Sequence, residues 1–120
     1  MRVLIVDDST YIRSSLRTLL SENGFEVVGE AKNGEMAIDM TLELKPDVIT
    51  LDNILPDMTG LDVLKTINTD DFNSYVIMIS AVGQQSAIVE AMERGAKHYL
   101  VKPFDDSELV GILKGLDEES

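Results

Sequence analysis

Asp7 and Asp8 follow the apolar run Val3-Leu4-Ile5-Val6, and Asp52 follows Val48-Ile49-Thr50-Leu51. Three carboxylates meet only if these runs are neighbouring strands ending at the same edge. At about 4 Å and an effective dielectric near 20, each like-charged pair costs roughly 4 kcal/mol, so the cluster needs a positive partner. A hard divalent cation supplies one, and Mg²⁺ typically takes one or two carboxylates plus waters and phosphate oxygens. Two further groups sit at the ends of apolar runs: Ser80 closes the run from Tyr75, and Lys102 follows Val101 and precedes Pro103. Singly, each has a structural explanation, since Asp fills turns and helix caps, a strand-end Ser satisfies itself locally and a Lys is ordinarily solvated. Together at strand ends, carboxylates, hydroxyl and ammonium favour a carboxylate nucleophile flanked by metal ligands and a cation.

Elements must bring these groups together. Short apolar runs alternate with segments of helical period, which predicts an α/β domain with a doubly wound, five-stranded parallel sheet and helices on both faces. Strands are expected at residues 2–6, 26–31, 47–51, 75–80 and 97–101. Ligands of such sheets lie outside the carboxyl ends of the strands. Ile12, Leu16, Leu19 and Leu20 form one helical stripe, and Leu109, Ile112, Leu113 and Leu116 another. Ser9, Asn33 and either Asp105 or Asp106 stand where helices begin, while Gly24 and Gly95 stand where they end. The closing Asp117-Glu118-Glu119-Ser120 is expected to fray, because acidic side chains match poorly with a helix C-terminus.

A chain of 120 residues that is 44% hydrophobic supports a single domain over 1–120, with no output domain. Its net charge of −12 argues against nucleic acid and anionic membrane as partners, which require a basic footprint. The chain has no cysteine, which excludes thiol chemistry and fits a reducing compartment. Neither a secretory leader pattern nor a spanning apolar run is legible, so a cytoplasmic protein is expected.

Read end to end, the chain resembles the receiver domain of two-component response regulators, of the stand-alone chemotaxis type. The resemblance rests on Val3-Leu4-Ile5-Val6-Asp7-Asp8-Ser9, Pro46-Asp47-Val48-Ile49-Thr50-Leu51-Asp52, Leu55-Pro56-Asp57-Met58-Thr59-Gly60, Ser80-Ala81 and Lys102-Pro103-Phe104. It implies a flavodoxin-like fold with strand order 2-1-3-4-5. It makes Asp52 the phosphoacceptor, with Mg²⁺ held by Asp7, Asp8, Asp52 and the Ile54 backbone carbonyl. Ser80 and Lys102 would contact phosphoryl oxygens, Ser80 and Tyr99 would form a switch pair, and the Lys102–Pro103 peptide would be cis. The physical logic agrees, because phosphoryl transfer needs positioning and charge neutralisation more than a general base. His98, the only histidine, is expected at the surface of the fifth strand and not as an acceptor.

The same resemblance implies a monomeric signalling protein with self-catalysed phosphoryl transfer and autodephosphorylation, not a turnover enzyme. Its partners would be a histidine kinase and a flagellar motor switch or adaptor protein controlling flagellar rotation, with a phosphatase as a further candidate. The readout face would comprise residues 85–94, 97–101 and 105–114, with Ile88, Ala91 and Met92 facing the core and Val89 exposed. Two departures stand out. Where many relatives carry polar side chains that orient attacking water, this chain has Ile54 and Val82, so slow self-hydrolysis is expected. Leu55 replaces the more usual Met, a volume-conserving change.

Other functions share some of these features. The domain could relay phosphate to another histidine-bearing protein. A metal-dependent phosphatase resembling the haloacid dehalogenase group would need an acid/base Asp two places after its nucleophile, but Asp52 is followed by Asn53 and Ile54, and Asp7 by Asp8 and Ser9. A flavodoxin-like flavin binder would need a phosphate loop after the first strand, where Asp7 and Asp8 would repel the phosphate.

Overall fold

Five parallel strands form one sheet in the order β2-β1-β3-β4-β5. They are β1 (Arg2–Val6), β2 (Glu26–Ala31), β3 (Val48–Leu51), β4 (Tyr75–Ser80) and β5 (His98–Val101). Five helices connect or follow them: α1 (Thr10–Glu22), α2 (Gly34–Leu44), α3 (Gly60–Ile67), α4 (Gln85–Glu93) and α5 (Asp106–Glu119). The computed structural model describes residues 1–67 and 73–119. This is the doubly wound α/β architecture that the alternating pattern predicted.

Each face of the sheet buries its own apolar layer. Leu16 and Leu20 of α1 and Leu109, Leu113 and Leu116 of α5 pack with Val3, Ile5, Val48, Ile77 and Ile79. Ala37 of α2, Val63, Leu64 and Ile67 of α3 and Ala91 of α4 cover Leu4, Val6, Ile49, Leu51 and Met78 on the other side. Alternate residues of one strand therefore serve opposite layers, and strands covered on both faces read as continuous apolar runs. β2 lies at an edge and its register on β1 shifts between Val3 and Leu4. Gly29, opposite Leu4, leaves the space that Met40 fills, since an added Cβ would stand 2.5 Å from the Met40 Cε.

Local signals set the helix ends. Ser9 accepts the Ile12 N–H through its side chain and Asn33 accepts that of Met36, as N-caps do. Gly24 (φ 86°) and Gly95 (φ 107°) supply the left-handed residues that follow α1 and α4. α2 instead ends on Lys45 at φ 48°, immediately before Pro46, a stop that lacks the glycine signal.

Three expectations shift. β3 and β5 begin at Val48 and His98, one residue later than predicted, although the Asp47 and Lys97 N–H groups still donate to Arg2 O (2.9 Å) and Val76 O (2.8 Å). α5 continues to Glu119 instead of fraying at Asp117; buried Leu116 anchors its last turn, and Lys97 Nζ lies 3.9 Å from the Glu119 carboxylate. Ser120, the last residue of the predicted fray, lies outside the described residues. Met92 is exposed, not core-facing, because Ala91 takes the inward position on α4.

Candidate functional site

The parallel ladder runs one residue past three strands and delivers three candidate site residues to one edge. The Asp7 N–H donates to Ala31 O (3.0 Å), the Asp52 N–H to Val6 O (3.0 Å) and the Lys102 N–H to Ser80 O (2.9 Å). Asp7, Asp52 and Lys102 thus leave the sheet from backbone that is itself part of the sheet. Such placement is more rigid than a loop provides.

Asp7, Asp8 and Asp52 each present a carboxylate oxygen within 4.8 Å of the other two. Asp7 and Asp52 are buried and Asp8 is exposed. Lys102 Nζ lies 2.9 Å from Asp7 Oδ2 and 3.6 Å from Asp52 Oδ2. The second Asp7 oxygen accepts the Ser9 N–H at 2.9 Å, and Asp52 Oδ1 accepts that of Ile54 at 3.3 Å. Burial pushes the Asp52 carboxyl above its ordinary range; repulsion from Asp7 and Asp8 adds to this, while Lys102 and the Ile54 N–H pull it back. One ammonium thus serves two carboxylates and leaves the third to solvent. A hard, oxygen-seeking dication fits this donor set.

The loop after β3 is braced from several sides. Ile54 bridges to Thr59, the Gly60 N–H donates to Asn53 O at 2.7 Å, and Asn53 Oδ1 accepts the Leu61 N–H at 3.3 Å. Gly60 is required here, because a Cβ would sit 2.4 Å from the Asp52 carbonyl oxygen. Asp57 accepts the N–H groups of Gly34 (2.8 Å) and Glu35 (3.0 Å) and so clamps the loop to the start of α2. Those two bonds, Gly34 first, hold its carboxyl below the usual range. Asp57 entered the sequence reading only as part of a motif. Its bracing role depends on a contact 23 residues away, which a local pattern does not reveal.

Ser80 is fully buried at the end of β4, and its Oγ accepts the Val82 N–H at 3.1 Å. Tyr99, half-buried on β5, donates its hydroxyl to the Val82 carbonyl. The Val82 backbone therefore links the two residues expected to form a switch pair, a role its apolar side chain could not announce. The Lys102–Pro103 peptide is cis. His98 is half-buried at the start of β5. Val89, Met92 and Val101 are exposed apolar side chains on α4 and β5, within the expected readout face. Among the described residues, no helix is long and apolar enough to cross a membrane.

Comparison with known proteins adds to this geometry. The response regulator receiver domain model matches residues 3–114. A chemotaxis protein CheY from Thermotoga maritima is 46% identical over 112 residues, covering 93% of each chain. One from Bacillus subtilis is 44% identical over 117 residues, 97% of this chain and 98% of the relative. Among solved structures, the CheX-CheY-BeF3-Mg complex from Borrelia burgdorferi contains a chain that superposes with a TM-score of 0.91 at 32% identity, covering 98% of this chain and 89% of that one.

Proposed function

The chain belongs to the response regulator receiver domain family, and from that premise we propose that it is a Mg²⁺-dependent phosphoacceptor switch, phosphorylated on Asp52 by a histidine kinase. The observation that carries this reading is the acidic cluster with its ammonium: three carboxylate oxygens within 4.8 Å, and Lys102 Nζ at 2.9 and 3.6 Å from two of them. Asp7, Asp8, Asp52 and the Ile54 carbonyl would hold the Mg²⁺. When bound, the ion neutralises the crowded carboxylates and the phosphoryl oxygens that approach them.

Asp52 is the nucleophile in this reading: its carboxylate oxygen forms the O–P bond as the P–N bond of the kinase's phosphohistidine breaks and the imidazole leaves with the electron pair, so no general base is needed. Lys102 neutralises a phosphoryl oxygen from the side of β5. Ser80 already accepts a hydrogen bond from Val82, so its own proton is available for another phosphoryl oxygen. Drawing the Ser80 hydroxyl toward phosphate pulls on the Val82 N–H, and the carbonyl of the same residue accepts the Tyr99 hydroxyl. One charge-assisted hydrogen bond contributes about 1.5 to 3 kcal/mol, whereas moving a population from 1:99 to 99:1 needs about 5.5 kcal/mol. Phosphorylation therefore biases the equilibrium, and partner binding completes the shift.

The output is binding of a flagellar motor switch or adaptor protein in the cytoplasm. Two observations support this: relatives of nearly the same length are chemotaxis proteins, and Val89, Met92 and Val101 expose apolar surface on α4 and β5. The Borrelia complex holds a CheY together with Mg²⁺, BeF3 and the protein CheX, which supports an ion, a phosphoryl group and a protein partner for this chain without bearing on which partner it is. Transfer from an autophosphorylated histidine kinase tests the reading. Phosphoryl should move to the wild-type chain with Mg²⁺ and not to Asp52→Asn, and undiminished transfer to the variant would overturn it.

A further inference from the structure

Arg13 has no part in the phosphoryl chemistry above, yet its guanidinium reaches the acidic cluster from behind. Its Nη1 donates to the Asp7 carbonyl oxygen at 2.6 Å, and its Nη2 to Thr10 Oγ1 at 3.3 Å. Its Nε lies 3.3 Å from Glu30 Oε1, and the other Glu30 oxygen takes Arg17 Nε at 2.6 Å. The Arg13 side chain is only 14% exposed. The fork is thus fixed at three points on α1, β2 and the end of β1.

What the fork holds matters. The Asp7 side chain is tethered twice, by Ser9 and Lys102, and its N–H is in the ladder. Asp8 is exposed, so the backbone it grows from is the main constraint on where its carboxylate lies. That backbone begins with the Asp7–Asp8 peptide, whose carbonyl end Arg13 grips. Rotation of this peptide carries the Asp8 nitrogen with it and moves the third carboxylate away from the other two.

We infer that Arg13, anchored by Glu30, is a positioning residue for metal binding: it fixes the peptide between Asp7 and Asp8 and so sets the spacing of the carboxylate cluster. The inference rests on the proposed Mg²⁺ site. Groups that orient metal ligands without touching the metal typically contribute 10- to 100-fold in affinity. Simple electrostatics predicts the opposite sign for Arg13, since removing a cation beside three carboxylates should tighten binding of a dication.

Calorimetric titration of the full chain with Mg²⁺ alone separates these cases. Arg13→Met should bind Mg²⁺ about 10-fold or more weakly than wild type. Arg13→Lys keeps the charge but loses the planar fork, and should fall between them. Arg17→Met also breaks a contact to Glu30 but touches nothing at Asp7, and should bind as wild type does. Equal or tighter binding by Arg13→Met would overturn the inference. Should that variant fail to fold, as judged by circular dichroism, Arg13→Lys decides, and wild-type affinity there would overturn it equally. Absence of saturable binding by the wild-type chain would remove the Mg²⁺ site itself, and this inference with it.

Discussion

Asp52→Asn should stabilise the metal-free protein while abolishing its proposed chemistry. Asp52 is 7% exposed, and its carboxylate stands within 4.8 Å of that of Asp7. At that separation and an effective dielectric near 20, the pair repels by roughly 3.5 kcal/mol. Lys102, 3.6 Å away, returns roughly 4.6 kcal/mol on the same scale, but the same ammonium is closer to Asp7, at 2.9 Å. Lys102 outweighs Asp7 by roughly 1 kcal/mol on this scale, and Asp8 offsets part of that margin with repulsion that its exposure screens. The desolvation of the carboxylate is then only partly compensated, in keeping with burial as the foremost cause of its raised pKa. Asn removes the charge and keeps an acceptor for the Ile54 N–H. The expected gain is about 1 to 3 kcal/mol near neutral pH, read as about 4 °C in Tm per kcal/mol for a domain of this size.

The pH dependence has a definite sign. A carboxyl whose pKa is higher folded than unfolded binds more protons in the native state throughout the window between the two values. Stability therefore falls as pH rises through that window, and the fall is absent from Asp52→Asn. Below the unfolded value the two proteins should converge. Saturating Mg²⁺ should reverse the order, since a ligand at 100 times its Kd stabilises the protein that binds it by about 2.7 kcal/mol. Chemical denaturation in chelator and in Mg²⁺, at acid and neutral pH, measures all four states. A variant no more stable than wild type in chelator at neutral pH, or equal stabilisation of both proteins by Mg²⁺, would refute the electrostatic reasoning.

Other residues give independent tests. Thr50 is buried in β3 with no hydrogen-bond partner for its hydroxyl among the described residues; Thr50→Val should stabilise by about 1 kcal/mol, and a loss on denaturant titration would show that the hydroxyl is satisfied. Gly60→Ala should destabilise by about 1 to 3 kcal/mol, because its Cβ would meet the Asp52 carbonyl at 2.4 Å, and unchanged stability would contradict the close packing of that loop. Ile54 is 61% exposed at the rim of the site and Val82 is half-buried, so neither side chain directs water to an aspartyl phosphate. Asn at 54 with Gln at 82 should hasten phosphate release, whereas rapid release that this pair leaves unchanged would reject slow self-hydrolysis.

Much of this organisation is legible in the residues because parallel strands leave a simple signature. Apolar runs mark β1, β3, β4 and β5, and the groups that end or directly follow them must emerge at one edge, which singles out Asp7, Asp8, Asp52, Ser80 and Lys102. Composition and periodicity left the strand order open; it came from resemblance to a known family. The bracing was hidden for a different reason. Arg13 reads as the polar side of an amphipathic helix, Asp57 as a turn residue and Val82 as an ordinary apolar position. Their roles depend on contacts with the Asp7 carbonyl, the α2 N-terminus and the Tyr99 hydroxyl, and backbone partners leave no mark on side-chain pattern. A helical stripe gives a face only to within one residue, so the pattern points Met92 inward whereas Ala91 fills that place.

Incubation with a small acyl phosphate, with and without Mg²⁺, followed by mapping of the modified residue by mass spectrometry, tests the central claim without any partner protein. One phosphoryl group should appear on Asp52 only when Mg²⁺ is present, and Asp52→Asn should stay unmodified. Modification elsewhere, or on Asp52 to the same extent in chelator, would contradict the proposal that the clustered carboxylates and Lys102 form a magnesium-dependent phosphoacceptor site.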